Sequence, residues 1–149
     1  GNSSPLTDGA SAVLIMSEKK AAELGLTPRA KLAHFAIVGS DPIEMLTGVI
    51  PATRRILSRS GLKIVDIDTF EVNEAFAPVV LAWQRELGAD PDKVNPRGGA
   101  IARGHAMGSS GTRLLGTMVN TLEQTDGTIG LQVMCEGGVR VYVTIIERM

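Results

Sequence analysis

Short apolar runs closed by glycine, proline or aspartate alternate along this chain with stretches that repeat their apolar residues every three or four positions. That alternation limits the fold more than any other feature. A brief apolar run between turn formers reads as a buried strand, and a three-to-four period reads as a helix with one buried face. "ASAVLIM" (10–16) predicts a strand, and "SEKKAAELG" (17–25), with a Ser cap and a closing Gly, predicts a short helix. "AKLAHFAIVGS" (30–40) predicts a second strand, and "IPATRRILSRSG" (50–61) a helix with Pro early and Gly just past its end. "IDTFEV" (67–72) predicts a third strand. The next helix starts at 75–77, because Pro78 fits only a first turn, and it aligns Phe76, Val79, Val80, Trp83 and Leu87 on one face. "PDKVNPRGG" (91–99) reads as loop, leading into the glycine-rich loop of His105. Leu114, Leu115, Met118, Val119 and Leu122 mark a helix over 109–124, and "TIGLQVMC" (128–135) and "VRVYVTIIER" (139–148) read as a hairpin through "EGG". The order βαβαβα, loop, α, ββ predicts an α/β fold: a five-stranded, mostly parallel sheet covered on both faces, with its last strand antiparallel.

Composition narrows the function classes. At 149 residues the chain is expected to form one domain over 1–149. A net charge of −1 and an aromatic content of 3% argue against nucleic acid as a partner, and no apolar run reaches a membrane span. The single cysteine, Cys135, excludes an internal disulfide and leaves the cytosol favoured as compartment. The opening "GNSSPLTDG" lacks an initiating Met and a basic-then-apolar leader, and reads as the start of a piece of a longer protein.

Ligands of such sheets bind beyond the carboxyl ends of the strands. Three polar features fall there: Asn73-Glu74, His105 and Cys135. "GGAIARGHAMGSSGTR" (98–113) surrounds His105 with five glycines and small residues, leaving an open approach beside a helix start. His34, inside an apolar run, reads as structural. The spacing G-x-x-x-x-G at 99–104 continues His-Ala rather than Lys-Ser, so a nucleotide-phosphate loop is rejected. Cys135 precedes "EGGV" and reads either as a small buried hydrophobe or as a reactive thiol near a histidine. Asn73 reads either as a helix cap or as an amide orienting a water or substrate oxygen. One Cys and two His without ligand spacing make no metal site.

Taken together, "EVNEAFA" (71–77), "NPRGGAIARGHAMGSSGTR" (95–113) and "MCEGG" (134–138), with the opening "GNSSPLTDGASAVLIMS", resemble the C-terminal half of the thiolases across essentially the entire chain. The resemblance implies one of two duplicated α/β/α halves, each around a five-stranded mixed sheet with its last strand antiparallel. It implies acyl transfer between CoA thioesters in lipid metabolism, by thiolysis of 3-ketoacyl-CoA or by Claisen condensation. His105 then matches the histidine that activates the nucleophilic cysteine, and Cys135 the second cysteine, which moves the α-carbon proton. Asn73 matches the asparagine whose water forms one oxyanion hole with the histidine. Gly137 matches the glycine whose N–H serves the other, and Ser4 a residue of the pantetheine channel. Coenzyme A is then a substrate, with no covalently bound cofactor and no metal. The implied partners are the N-terminal half of the same protein and further copies in a dimer or tetramer, in the cytoplasm or, in a eukaryote, an organelle.

Two positions depart from the family pattern: Ala106 replaces a proline, and Val139 the last glycine of Cys-x-Gly-Gly-Gly. The nucleophilic cysteine belongs to the other half, so the chain alone is expected to be inactive. The helix over 109–124 is expected to turn Ser110, Gly111 and Thr117 toward that half. Two other classes stay open: a non-catalytic CoA-binding or scaffold domain, and a Cys–His thioester hydrolase using Cys135 as nucleophile.

Overall fold

The computed structural model describes residues 1–149. Its elements run α1 (Glu18–Glu23), β1 (Ala30–Gly39), α2 (Val49–Ser60), β2 (Thr69–Val72), α3 (Ala77–Leu87), α4 (Ala100–Arg103), α5 (Ser110–Thr125), β3 (Ile129–Glu136) and β4 (Arg140–Arg148). One mixed sheet has the order β1-β4-β3-β2. β2 lies parallel to β3, while β4 runs antiparallel to both β3 and β1, as the closing hairpin predicts.

The expected strand over 10–16 is not formed, so the sheet has four strands rather than five. A strand exists only through its ladder, and no backbone hydrogen bond reaches these residues. Side chains hold the segment instead: Ser11 Oγ donates to Ser109 O at 2.6 Å. Leu14 and Ile15 stay exposed. The apolar pattern marks residues suited to burial without saying which surface buries them.

The remaining elements follow from local chemistry. Ser17 Oγ accepts from Lys20 N and starts α1. Pro51 falls in the first turn of α2, and Gly61 closes it in the left-handed conformation. Pro78 likewise confines the start of α3 to Ala77, and Gly88 ends it. Phe76, placed by spacing on the buried face of α3, instead precedes the helix and is half exposed. The short α4 interrupts the expected loop.

Alternation along β3 and β4 divides the core. Leu131, Val133, Val141, Val143 and Ile145 meet α2 and α3, with Phe70 packed edge-on against Trp83 at a centroid distance of 5.2 Å. Trp83 Nε1 donates to Thr53 Oγ1 (2.8 Å), whose own proton goes to Val49 O (2.8 Å), so the buried indole is satisfied. On the other face α5 seats Leu114, Met118 and Leu122 over β3 and β2. Gly130 permits this approach, since a Cβ there would stand 2.7 Å from Met118. The result is three layers, α/β/α. α5 covers only part of its face, and Phe35 and Ile37 of β1 remain 74% and 56% exposed. Ser110 is fully buried within the chain, while Gly111 lies over Met134 at the edge of an open groove.

Gly48, at the entry to α2, tests this packing. A Cβ there would sit 2.6 Å from Ser40 Cβ and 2.8 Å from Val141 Cγ2. Gly48→Ala is expected to destabilise the chain by about 1–3 kcal/mol through overpacking. Urea unfolding followed by the fluorescence of the single tryptophan reads it; an unchanged midpoint would show a looser junction.

Candidate functional site

β2 is only four residues long and lies at the sheet edge, and a side chain completes its outer ladder. Val72 N donates to Asn95 Oδ1 (2.8 Å) and Asn95 Nδ2 donates to Val72 O (2.9 Å). Asn95 N donates to Phe70 O, also at 2.8 Å. Asn95 sits at φ +48°, a left-handed conformation that Asn tolerates better than most residues. It thereby stands in for a strand neighbour and fixes where β2 stops.

Glu74 ties that exit to the glycine-rich stretch. Its carboxylate accepts from Ile101 N (2.8 Å), at the start of α4, and from Asn95 Nδ2 (3.1 Å). Gly99 lies so close to Glu74 that a Cβ would overlap the carboxylate. A side chain at 99 would displace the Glu74 carboxylate from Ile101 N and Asn95 Nδ2.

The first residues strap the two loops together. Ser4 donates through both N (3.2 Å) and Oγ (3.3 Å) to Ala75 O, and His105 N donates to Pro5 O at 3.0 Å. Gly104, at φ +88°, packs directly against Thr7. Ser4 is therefore bound next to the Asn73 loop and one residue from the His105 anchor.

His105 is partly buried, and its Nδ1 lies 2.7 Å from Ser110 Oγ. Ser110 Oγ gives its single proton to Ala106 O (3.0 Å), so it accepts from Nδ1–H and leaves Nε2 with a free lone pair. Burial, then the Arg113 guanidinium, holds the imidazole below its ordinary range, so it is a neutral base near pH 7. The Ala106 carbonyl accepts from the N–H groups of Ser109 (2.9 Å) and Ser110 (3.0 Å).

Cys135 continues the apolar row of Leu131 and Val133 on β3 and is 8% exposed. Burial pushes its thiol up, and Glu136 adds to this. Its own backbone and the nearby Asn73 side chain oppose the rise. Asn73 and Cys135 are thus neighbours at the carboxyl ends of two parallel strands, the Asn73 amide close to the sulfur without a hydrogen bond of ordinary length. Gly137 lies in the exposed β3–β4 turn with no neighbour within 4 Å of a built Cβ. In the same turn Val139 adopts φ +64°, an unfavourable conformation for a β-branched residue, and its carbonyl accepts from Ser40 N at 3.0 Å.

The structure therefore places Asn73 beside Cys135 and ties the Ser4–Pro5 segment to Ala75 and to the His105 backbone, but forms no hydrogen bond between His105 and Cys135 and leaves Gly137 apart. Two grooves of about 190 and 380 Å³ run beside α5, lined by Gly111, Gln132, Met134 and Glu136 among others. Neither is lined by His105, Cys135 or Asn73.

Glu74, Asn95 and Glu71 fall inside the quoted motifs, but each acquires its role only in the structure. Glu71 is fully buried, and both its oxygens lack a donor. Burial pushes its carboxyl up to about 8. Arg103 and Arg113 pull against this, and Glu74 reinforces it. The only cue in the sequence is a carboxylate between Phe70 and Val72 in a short strand.

The fold is thus a three-layer α/β/α domain with a thiol, an amide and a histidine at loop ends. The family model for the C-terminal domain of thiolase matches residues 26–148, and the chain belongs to that family. It is 57% identical over 98% of its length to a steroid 3-ketoacyl-CoA thiolase, FadA6, of Mycobacterium tuberculosis, and 50% identical over its whole length to a 3-ketoacyl-CoA thiolase of Colwellia psychrerythraea. It spans 36% and 39% of those proteins. Among solved structures, human mitochondrial 3-ketoacyl-CoA thiolase in complex with CoA superposes with a TM-score of 0.96. The identity is 40%, over 100% of this chain and 38% of that one. An acetyl-CoA acetyltransferase of Bacillus anthracis superposes at 0.95 with 36% identity, over 99% of this chain and 38% of that one.

Two outcomes follow from this geometry. Asn95→Ala strands the buried N–H and C=O of Val72, and a loss of about 2–4 kcal/mol is expected in urea unfolding. Glu71 is raised from an ordinary 4.5 to about 8. Its stabilising contribution is therefore complete below the unfolded value and drains away as pH climbs toward the folded one. Glu71→Gln removes that loss, so its stability relative to the parent should improve steadily from pH 5 to 8 and then level off. A constant difference across this range would refute the assignment.

Proposed function

We propose that this chain is the C-terminal catalytic part of a 3-ketoacyl-CoA thiolase, an acyltransferase acting on CoA thioesters. The family match over residues 26–148 carries the reading, and the identities to named 3-ketoacyl-CoA thiolases support it. Coenzyme A and acyl-CoA are the substrates, cleavage and condensation being two directions of one reaction. The N-terminal half of the full protein supplies the nucleophilic thiol and is the chain's obligatory partner. We take 1–149 as one functional unit that works in a cytoplasmic dimer or tetramer.

In this scheme His105 Nε2 takes the proton of that incoming thiol, which then attacks the keto carbon and accepts the acyl group. Cleavage releases an enolate of the acetyl-CoA portion. Cys135, a neutral acid because burial raises its thiol, returns a proton to the α-carbon, and in condensation its thiolate removes it. Negative charge on the thioester oxygen is met by a water held on Asn73 together with the His105 ring. Charge on the other oxygen is met by Gly137 N–H. Each fixed donor contributes about 2.7–4 kcal/mol to the transition state. Ser4 lines the approach of the pantetheine arm.

The isolated chain, incubated with acetyl-CoA, is expected to show no acyl adduct by mass spectrometry, whereas a stoichiometric, turnover-competent acyl-Cys135 would overturn the scheme. In the full-length protein His105→Ala should lower thiolysis by about 10²–10⁴-fold.

A further inference from the structure

Four buried side-chain oxygens lack any hydrogen-bond partner, and all belong to alternate residues of one extended run: Thr69 Oγ1, both carboxyl oxygens of Glu71, and Asn73 Oδ1. Thr69 and Glu71 point away from the Phe70–Val72 side of β2, toward α5. Asn73 follows at the strand's end, its N–H still in the ladder to Val133 O at 3.0 Å. Alternate residues of a strand are about 6.6 Å apart, a span that a glutamate side chain or one bridging water covers.

Buried acceptors without donors are rare and costly, and here several adjoin. The charged groups around them do not supply the missing protons. Arg113, from α5, donates instead to Gly104 O (3.3 Å), and Arg103, from α4, makes no hydrogen bond to Glu71. Glu74, from the β2 exit, is an acceptor already occupied by Ile101 N and Asn95 Nδ2. Gln132, opposite Glu71 on β3, sends one of its two amide protons to Gly111 O (3.0 Å) and makes no hydrogen bond to Glu71. Two donors remain along the run, the Thr69 hydroxyl and Glu71 itself as the neutral acid, and of these only Glu71 adjoins Asn73, Thr69 standing a further strand step of about 6.6 Å away.

We propose that Glu71 is a positioning residue for Asn73: its carboxylic O–H, directly or through one water, supplies the donor that Asn73 Oδ1 lacks and so holds the Asn73 amide nitrogen toward Cys135. The inference rests on the reading of Asn73 and Cys135 as partners in the site. Loss of the Glu71 proton then leaves two acceptors facing each other, and the amide turns away from the sulfur. The protonation of Glu71 is thereby coupled through Asn73 to that of Cys135, among Arg103, Arg113 and Glu74 on one side and Glu136 beside the thiol on the other.

The test uses the 149-residue chain and no activity. With one cysteine in the sequence, ¹³C-cysteine labelling gives a single Cβ signal that reports Cys135 through a pH titration. The parent is expected to show a small step near pH 8, coincident with a glutamate carboxyl titrating there, before the main thiol ionisation. Glu71→Gln should erase the step and raise the thiolate fraction at pH 9 roughly threefold, the scale of one ordinary hydrogen bond. Asn73→Ala should erase the step while leaving the glutamate titration in place. A step that survives Asn73→Ala would mean direct charge coupling and overturn the proposal, as would a parent titration with no step, which needs no variant to fold. Failure of thiolysis in the full-length protein would sink the thiolase scheme without touching these signals.

Discussion

The pairing of Asn95 with the backbone of Val72 is the constraint from which the rest of the site hangs. A four-residue strand at a sheet edge has little ladder of its own, and its exposed side would otherwise fray or recruit another strand. A carboxamide offers one acceptor and one donor in a plane, and in the left-handed conformation of Asn95 both meet the same residue of β2. Because Asn95 also touches Glu74, and Glu74 caps α4, the end of β2, the glycine-rich stretch and the start of the His105 loop form one connected unit. The opening residues close the circuit from Ala75 to His105 through Ser4 and Pro5.

Polarity is distributed unevenly between the two faces of the sheet. Toward α2 and α3 the interior is apolar, and its one polar pair, Trp83 and Thr53, is satisfied. Toward α5 and the loops lie Thr69, Glu71 and Asn73, with oxygens that no protein donor reaches. A fold retains such groups against their desolvation cost of about 1–3 kcal/mol each only where something other than packing is at stake. The face that tolerates them leads to Cys135.

Much of this was legible in the chain. Helix ends were set by Pro51, Pro78, Gly61 and Gly88, whose backbone limits act locally whatever the tertiary context. The hairpin and its antiparallel strand followed from two β-rich runs around a glycine turn. The motifs holding Asn73, His105 and Cys135 were visible because their neighbours are small. What escaped was relational. Asn95 reads as an ordinary turn residue until its partner on β2 is known, and Glu71 looks like a surface charge until α5 covers it. The run at 10–16 failed for the opposite reason, since its composition is that of a strand but no sheet edge in this chain accepts it.

That unpaired run and the bare part of the sheet bear on each other. β1 presents Phe35 and Ile37 on the same side as α5, and one of the grooves beside that helix is closed by Ile15 and Leu32. Apolar surface of this kind is seldom left to water in a finished fold. The chain spans only 36% and 39% of two thiolases to which it is related, so the scheme that assigns the nucleophile to the remaining polypeptide also provides matter to cover this face. Met107 and Gly108, just past His105, line the same groove as Ile15 and Leu32, so this bare apolar surface runs up to the His105 loop.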